Sequence, residues 1–205
     1  MGHNDMRESE WDRKLKIHTQ GRDASQEDAH HHPYEPTPYS VLERLAESGY
    51  ISEEDSLIDY GCGKGRVGFF IQDQIGCRVT GVEYDEKIYT QAMENLEQYT
   101  KWKKIDFVCQ SAETYELNGE NSFFFFNPFS VEILQSVMGK ILDSYYDDPR
   151  LMRLFFYYPD EEYVSYLLAG NVLELDFVDE IDCRDLFDRN DDREKILVFE
   201  IGAAY

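Results

Sequence analysis

The sequence is poor in basic residues. Lys and Arg number 20 against 42 Asp and Glu, which gives a formal net charge of −22. A surface with this excess repels polyanions, so the composition disfavours nucleic acid as a partner. Long apolar runs are also missing, since no stretch reaches the roughly 18 to 20 residues that span a bilayer. The N-terminal residues are polar and of mixed charge, so we expect no signal peptide and a cytoplasmic location.

The sequence has no cysteine pair or histidine cluster of the kind that builds a metal centre. No CxxC motif is present, and each cysteine lies in or beside an apolar run, which predicts buried free thiols in a reducing compartment: Cys62, Cys77, Cys109 and Cys183. All five histidines lie within residues 1–32. Three of them are consecutive and cannot readily converge on one ion. We therefore expect no metal site and no histidine general base.

The rest of the composition is that of a folded protein. Hydrophobic residues make up 42% and aromatic residues 15% of 205 residues, enough for one domain with a substantial core. We expect residues 1–33 to form a polar, flexible arm, with one marginal helix as the alternative, and residues 34–205 to form the domain.

Short apolar strands alternate with amphipathic helices along the domain. Thr37 is predicted to cap a first helix with Pro38 at its first position. Further helices are predicted at residues 65–75, 86–100, 130–145 and 160–169. The alternation predicts an α/β fold with a doubly wound, Rossmann-like parallel sheet. Two final β runs, at 171–182 and 194–201, have no helix between them and predict a C-terminal antiparallel hairpin.

One glycine-rich segment stands between an apolar strand and a helix. The segment "LIDYGCGKGRVGFF" spaces its acid and glycines as Asp59-x-Gly61-x-Gly63-x-Gly65. Dinucleotide-binding turns have GxGxxG instead, and the lysine and hydroxyl of a P-loop are missing. The next β run ends in Glu83, where doubly wound proteins place the acid that accepts hydrogen bonds from a ribose. The combination predicts a turn that binds an adenosine-containing ligand.

These residues resemble those of the class I S-adenosylmethionine-dependent methyltransferase family. The resemblance covers residues 34–205 and implies a seven-stranded sheet that ends in the antiparallel hairpin. It implies S-adenosyl-L-methionine as cofactor, with Glu83 binding the ribose and Tyr84 adjoining the adenine. It also implies further cofactor contacts from the glycine turn and from the loop after the third strand: Asp59, Gly61, Gly63, Gly65, Ala112 and Glu113.

The strand "SFFFFNPFS" resembles the fourth strand of that family, whose end faces the transferable methyl group. Asn127, Pro128 and Phe129 resemble a [DN]PP[YF] signature of nitrogen-directed members and are predicted to be catalytic, although one proline is missing and Ser130 follows. The alternative is a strand end followed by a turn and a helix start. A segment like "YEPTPY" covers the cofactor in several members, which implies a lid of Tyr34, Thr37 and Tyr39. Tyr157 is a candidate to line the substrate pocket.

The sequence thus predicts an S-adenosylmethionine-dependent methyltransferase. The acceptor is expected to be a nitrogen of a small molecule or of a basic protein, because the acidic surface would attract a cationic partner. Two alternatives remain: a catalytically silent cofactor-binding module, and a nucleotide-dependent oxidoreductase on a related fold. The oligomeric state is not predicted.

Overall fold

A single seven-stranded sheet organises the part of the chain that the computed structural model describes, residues 3–23, 34–100, 102–170, 172 and 174–202. Its order is β3-β2-β1-β4-β5-β7-β6. The strands are β1 (Ser56–Tyr60), β2 (Arg78–Glu83), β3 (Ile105–Cys109), β4 (Ser122–Phe125), β5 (Met152–Tyr157), β6 (Leu175–Asp182) and β7 (Lys195–Ile201). The first five pair in parallel, whereas β7 runs antiparallel to both β5 and β6. The predicted doubly wound sheet with an antiparallel end is confirmed.

Helices cover both faces of the sheet, which a parallel sheet requires because both its faces are apolar. The helices are α1 (His3–Leu15), α2 (Tyr39–Glu47), α3 (Arg66–Ile75), α4 (Glu86–Gln98), α5 (Val131–Asp147) and α6 (Glu161–Leu168). Side chains of β4 alternate between two cores: Phe124 packs in the layer with α2 and α3, and Phe123 and Phe125 pack in the layer with α5. Two helices begin at aspartates, since Asp85 accepts hydrogen bonds from the N–H groups of the first turn of α4, and Asp160 does so for α6.

Helix α2 begins one residue later than the sequence predicts. Pro38 has an extended ψ of 137° and occupies the N-cap position, and no side chain caps it. Thr37 therefore lies outside the helix. The backbone N–H of Tyr39 donates a hydrogen bond to the Glu8 carboxylate at 3.0 Å. This contact with a residue distant in sequence explains the later start of the helix.

The N-terminal segment packs on the domain, which differs from the expected flexible arm. Residues 3–15 form α1, and the side chains of Leu15 and Ile17 are buried in the core. The Trp11 ring lies edge-on to Phe70 at 4.8 Å and stacks on Tyr39 at 5.8 Å. The helix that the sequence offered as an alternative is the one observed, because its few apolar residues share a face that meets α2 and α3.

A buried polar network fixes this segment to α3. Arg66 is 2% exposed and pairs with the Glu8 carboxylate. Its guanidinium also donates to Thr19 Oγ1 at 2.7 Å and to the carbonyl oxygen of Thr37 at 3.1 Å. Asp12 accepts hydrogen bonds from the backbone N–H and the hydroxyl of Thr19 and from the Tyr39 hydroxyl. Buried charges are tolerated only when they are paired in this way.

The four cysteines differ in burial. Cys62, Cys77 and Cys183 are buried free thiols as expected, but Cys109 at the end of β3 is exposed. The prediction for Cys109 is wrong because β3 is an edge strand whose last side chain is not covered.

Among the described helices, none has the length and apolarity needed to cross a membrane.

The network predicts that Asp12→Ala destabilises the whole domain. The substitution removes the shared acceptor of the buried Thr19 and Tyr39 donors and one of the two carboxylates near the Arg66 guanidinium, so we expect a loss of about 3 to 5 kcal/mol in the free energy of unfolding. Urea denaturation measures this loss. Glu10→Ala on the exposed face of α1 is the matched control and should change stability by less than about 0.5 kcal/mol. Equal stability of both variants would show that the segment does not pack on the domain.

Candidate cofactor and acceptor site

The turn after β1 has a backbone that only glycine accepts at two points. Gly61 has a φ of +71°, and a Cβ atom there would lie 2.3 Å from Pro128 Cβ. Gly63 has a φ of +57°, and a Cβ atom there would lie 2.3 Å from the ring of Tyr34. The turn is therefore enclosed between the end of β4 and the segment before α2, and α3 begins directly after Gly65.

The Glu83 carboxylate holds the turn in place from the end of β2. It accepts hydrogen bonds from the backbone N–H of Gly63 and from that of Asp85, both at 2.9 Å. Burial raises its pKa above the usual value for a glutamate. This side chain therefore joins the glycine turn to the start of α4, and it does so at the edge of the cleft where the sequence predicts a ribose.

Asp59 at the end of β1 is a buried carboxyl group with an unsatisfied oxygen. It is 3% exposed, and its Oδ2 makes no hydrogen bond with any described residue. Burial, together with the nearby Glu83 carboxylate, raises the pKa of Asp59 to about 8. A site with such an oxygen favours a ligand that brings a positive charge or hydrogen-bond donors.

A narrow cleft of about 80 Å³ lies over this part of the sheet. Of the predicted cofactor and lid residues, the following line it: Tyr34, Thr37, Asp59, Gly61, Glu83, Tyr84 and Ala112. Gly63 and Gly65 shape the turn without lining the cleft. Glu113 is exposed and lies outside the lining, in a 3-10 helix of residues Ala112–Thr114.

Tyr39 is not a lid residue in this structure. It is fully buried, and its hydroxyl donates to Asp12 Oδ1 at 2.6 Å. The first turn of α2 directs its ring toward α1 and α3, where Arg66 lies over it at 4.3 Å. Tyr34 does cover the glycine turn, and its hydroxyl donates to the carbonyl oxygen of Thr19.

The end of β4 has a strained backbone held by side-chain hydrogen bonds. Asn127 has a φ of +39°, and Tyr158 at the end of β5 has a φ of +49°. The Asn127 amide nitrogen donates to the carbonyl oxygen of Tyr158 at 2.6 Å, and its Oδ1 accepts a longer bond of 3.3 Å from the Asp160 N–H. A left-handed backbone is uncommon for tyrosine, and such conformations concentrate at functional sites.

The three predicted catalytic residues have different positions. Pro128 lines the cleft and touches the glycine turn. Phe129 also adjoins the cleft, but it is buried and packs against Tyr60 and Phe125 at 6.5 and 6.3 Å. The aromatic side chain that lines both cavities of the site is Phe126, which sequence reasoning missed because it counted all four consecutive phenylalanines as strand core.

A second cavity of about 350 Å³ adjoins the cleft. The two share four residues, so they meet beside Asn127: Glu35, Pro36, Phe126 and Asn127. Tyr157, a candidate for the substrate pocket, lines the second cavity, and its hydroxyl donates to Glu194 at 2.7 Å. The site therefore consists of two adjoining cavities.

The sequence analysis does not predict the charged residues that line the second cavity. Arg189, Arg193 and Glu194 come from the polar stretch between β6 and β7, which resembles a solvated loop, and Arg22 comes from the N-terminal segment. The sequence contains one indication of this charged lining: three arginines lie within the eleven residues 184–194, although the chain as a whole is poor in basic residues.

The comparisons with known proteins agree with this architecture. Residues 57–143 match the model of a methyltransferase domain. A protein-lysine N-methyltransferase of Saccharolobus islandicus is 34% identical over 68 residues, which are 33% of this chain and 42% of that protein. A histone H3 lysine-79-specific methyltransferase of Dictyostelium discoideum is 40% identical over 67 residues, which are 33% of this chain and 4% of that protein. The chain therefore spans less than half the length of either relative.

A solved structure shows the same fold over nearly the whole chain. A TehB-like S-adenosylmethionine-dependent methyltransferase from Corynebacterium glutamicum superimposes with a TM-score of 0.58 at 14% identity, covering 98% of each chain. The sheet order, the glycine turn and these matches define a Rossmann-like methyltransferase domain. Together these findings support the class I S-adenosylmethionine-dependent methyltransferase family for this chain.

The cofactor of this family fits the residues of the cleft. Its sulfonium and amino groups are cationic, and the cleft contains three buried carboxyl groups, those of Asp59, Glu83 and Asp85, of which Asp59 and Asp85 each have an oxygen without a hydrogen-bond partner among the described residues. The charge of the cleft thus supports the fit.

The buried state of Asp59 predicts a pH-dependent stability. An unfolded aspartate titrates near pH 3.9, roughly four units below the folded pKa of about 8. The folded state holds the proton more tightly, so the contribution is complete below about pH 4 and falls as pH rises toward 8. We expect Asp59→Asn, which stays neutral, to gain stability over the wild type as pH rises from about 5 to 8, by on the order of 1 kcal/mol or more.

Urea denaturation across this pH range measures the effect. Asp106→Asn on the exposed side of β3 is the control and should show a difference from wild type that does not change with pH. A constant Asp59→Asn difference would mean that the carboxyl is already ionised in the folded state.

Proposed function

We propose that this protein transfers a methyl group from S-adenosylmethionine to an amine nitrogen. The observation that carries the proposal is the junction at Asn127, where the cleft containing the unsatisfied Asp59 oxygen meets a second, larger cavity. The two compartments match a reaction between a cationic donor and a separate acceptor.

The cofactor residues have distinct roles in this proposal. Asp59 provides an acceptor for the cationic methionine end, and Glu83 provides the acceptor for the ribose hydroxyls. Gly61 and Gly63 permit the tight turn that Pro128 and Tyr34 enclose, and Gly61 lines the cleft. Tyr84 and Ala112 adjoin the adenine. Glu113 lies outside the cleft lining, so we assign the adenine contact to the other two.

The acceptor is positioned by the end of β4. Asn127 Oδ1 accepts only one long hydrogen bond, so it retains a lone pair for a donor from the acceptor amine. Holding that N–H directs the nitrogen lone pair toward the cleft. Pro128 fixes the backbone beside it. Both relatives are lysine N-methyltransferases, which supports a nitrogen acceptor.

The chemistry asks little of the chain beyond binding and orientation. S-adenosylmethionine supplies a methyl group that its positive sulfur has already activated. The residues around Asn127 hold the acceptor nitrogen in line with that group and exclude water, and such positioning can account for several kcal/mol of a barrier, about 7 to 11 in favourable cases.

The rival hypotheses receive less support. A silent cofactor-binding module would be favoured by a blocked acceptor pocket, whereas the described residues leave a cavity of about 350 Å³ beside Asn127. The family membership favours methyl transfer over nicotinamide chemistry. The net charge of −22 supports a small-molecule or protein acceptor over nucleic acid. We propose a cytoplasmic location on the basis of the free cysteines.

Glu83→Ala tests the cofactor site. Losing charge-assisted hydrogen bonds to the ribose should weaken S-adenosylmethionine binding by about 1.5 to 3 kcal/mol. Calorimetric titration of the purified variant gives this value directly. Glu86→Ala, an exposed acid in the first turn of α4, is the control and should bind like the wild type. Unchanged affinity in Glu83→Ala would remove this residue from the site.

Asn127→Ala tests the acceptor role. We expect cofactor affinity within about twofold of the wild type and a fall in methyl transfer of about 10² or more, because the acceptor loses its positioning hydrogen bond. Transfer of the labelled methyl group to a panel of small-molecule amines and to a lysine-rich protein measures activity, and a thermal melt checks folding. Asn118→Ala is the matched control on an exposed loop. Full turnover by a folded Asn127→Ala protein would exclude the role.

A further inference from the structure

The second cavity concentrates basic side chains in a chain that has few. Its lining contains three arginines and two acids, although acids outnumber basic residues 42 to 20 in the chain as a whole. The arginines come from two distant segments, Arg22 before α2 and Arg189 and Arg193 before β7. Their convergence on one cavity is a property of the fold and not of local sequence composition.

Arg193 is held over an aromatic ring without an ion pair to a described residue, although the nearby Asp191 carboxylate acts on it electrostatically. Its guanidinium lies over the Tyr158 ring at 4.1 Å, and its Nε and Nη2 donate to the carbonyl oxygens of Pro159 and Tyr158 at 3.3 and 3.2 Å. Within the described part of the chain it forms no ion pair, and its Nη1 makes no hydrogen bond. The neighbouring Asp191 carboxylate is occupied, since it accepts from the Tyr158 hydroxyl and from the backbone N–H of Arg193.

The other charges of the cavity are mostly balanced. Arg189 pairs with the fully buried Glu194 at 2.6 Å. Glu35 and Arg22 are exposed at the rim, and neither has an ion pair with the residues described. After the internal pair is subtracted, two arginines face one carboxylate. The net charge of the lining is positive, opposite to that of the whole chain.

We propose that the acceptor amine also carries a carboxylate, which this cavity binds through Arg193 and Arg22. This rests on the proposed function of the site. The fixed guanidinium of Arg193 presents paired N–H donors that match a carboxylate. Phe126, Tyr158 and Phe187 provide apolar walls, and a volume of about 350 Å³ suits a small organic molecule.

A protein lysine fits this lining less well. Its cationic chain would pass two arginines that have no carboxylate of their own. The acidity of the whole chain does not repel a small anion here, because charges beyond roughly 8 Å are largely screened at physiological ionic strength. The local balance of charge therefore determines which acceptor binds.

The experiment compares acids with their neutral amides. The pairs are 4-aminobenzoate with 4-aminobenzamide, and phenylalanine with phenylalaninamide, each titrated by calorimetry into the protein saturated with S-adenosylhomocysteine. We expect the acids to bind at least about tenfold more tightly than the amides, since hydrogen bonds to charged groups have roughly that effect. Arg193→Gln should abolish the preference, Arg193→Lys should restore part of it, and Arg22→Gln should reduce it.

Arg184→Gln is the matched control, because this arginine lies in the same loop, pairs with Asp182 and lies outside the cavity lining. It should keep the full preference for acids. If Arg193→Gln does not fold, the acid-to-amide ratio of the wild type and the effect of Arg22→Gln decide. Amides that bind as tightly as acids in both pairs would overturn the proposal, as would methylation of a lysine peptide with no binding of either acid.

The proposed acceptor class and the proposed function can be tested separately. Loss of the carboxylate preference with intact S-adenosylmethionine binding and turnover on a neutral amine would overturn only the acceptor class. Absence of S-adenosylmethionine binding in the wild type would overturn the proposed function itself.

Discussion

The site depends on one carboxylate, that of Glu83, which accepts backbone hydrogen bonds from the glycine turn after β1 and from the start of α4. Backbone hydrogen bonds from Gly61 and Cys62 to the Val82 carbonyl oxygen also join the turn to β2, and the Glu83 side chain adds the link from the turn to the start of α4. The residue thus has a structural role even before any ligand is bound. Because Glu83 also lines the cleft, this one side chain contributes both to the geometry of the turn and to the electrostatics of the binding site.

A second constraint couples the N-terminal segment to the cleft. Arg66 is in the first turn of the helix that follows the glycine turn, it lines the cleft, and its partners Glu8, Asp12 and Thr19 all precede the domain core in sequence. The segment that covers the turn is therefore held by an ionic network and not by hydrophobic area alone. This explains how a segment with few apolar residues packs on the domain, since paired buried charges fix its position.

Much of the fold followed from the sequence because its strands and helices differ sharply in periodicity and because an acid and glycines mark the end of β1. The site was less predictable wherever partners are distant in the chain. The start of α2 depends on Glu8, and the burial of Tyr39 depends on Asp12. Arg189 and Arg193 of the second cavity lie in a polar stretch whose composition resembles a solvated loop, and the pairing of β5 with β7 brings them beside Asn127. Local patterns contain no information on such contacts.

The contact between Gly61 and Pro128 has an evolutionary consequence. A side chain at position 61 would overlap the proline ring, so neither position can change freely while the other is kept. Related sequences should therefore show covariation between these two positions, which lie in different strand-end loops. A lineage that acquires alanine at the first glycine must also have displaced the turn after β4, and with it Asn127, where the two cavities meet.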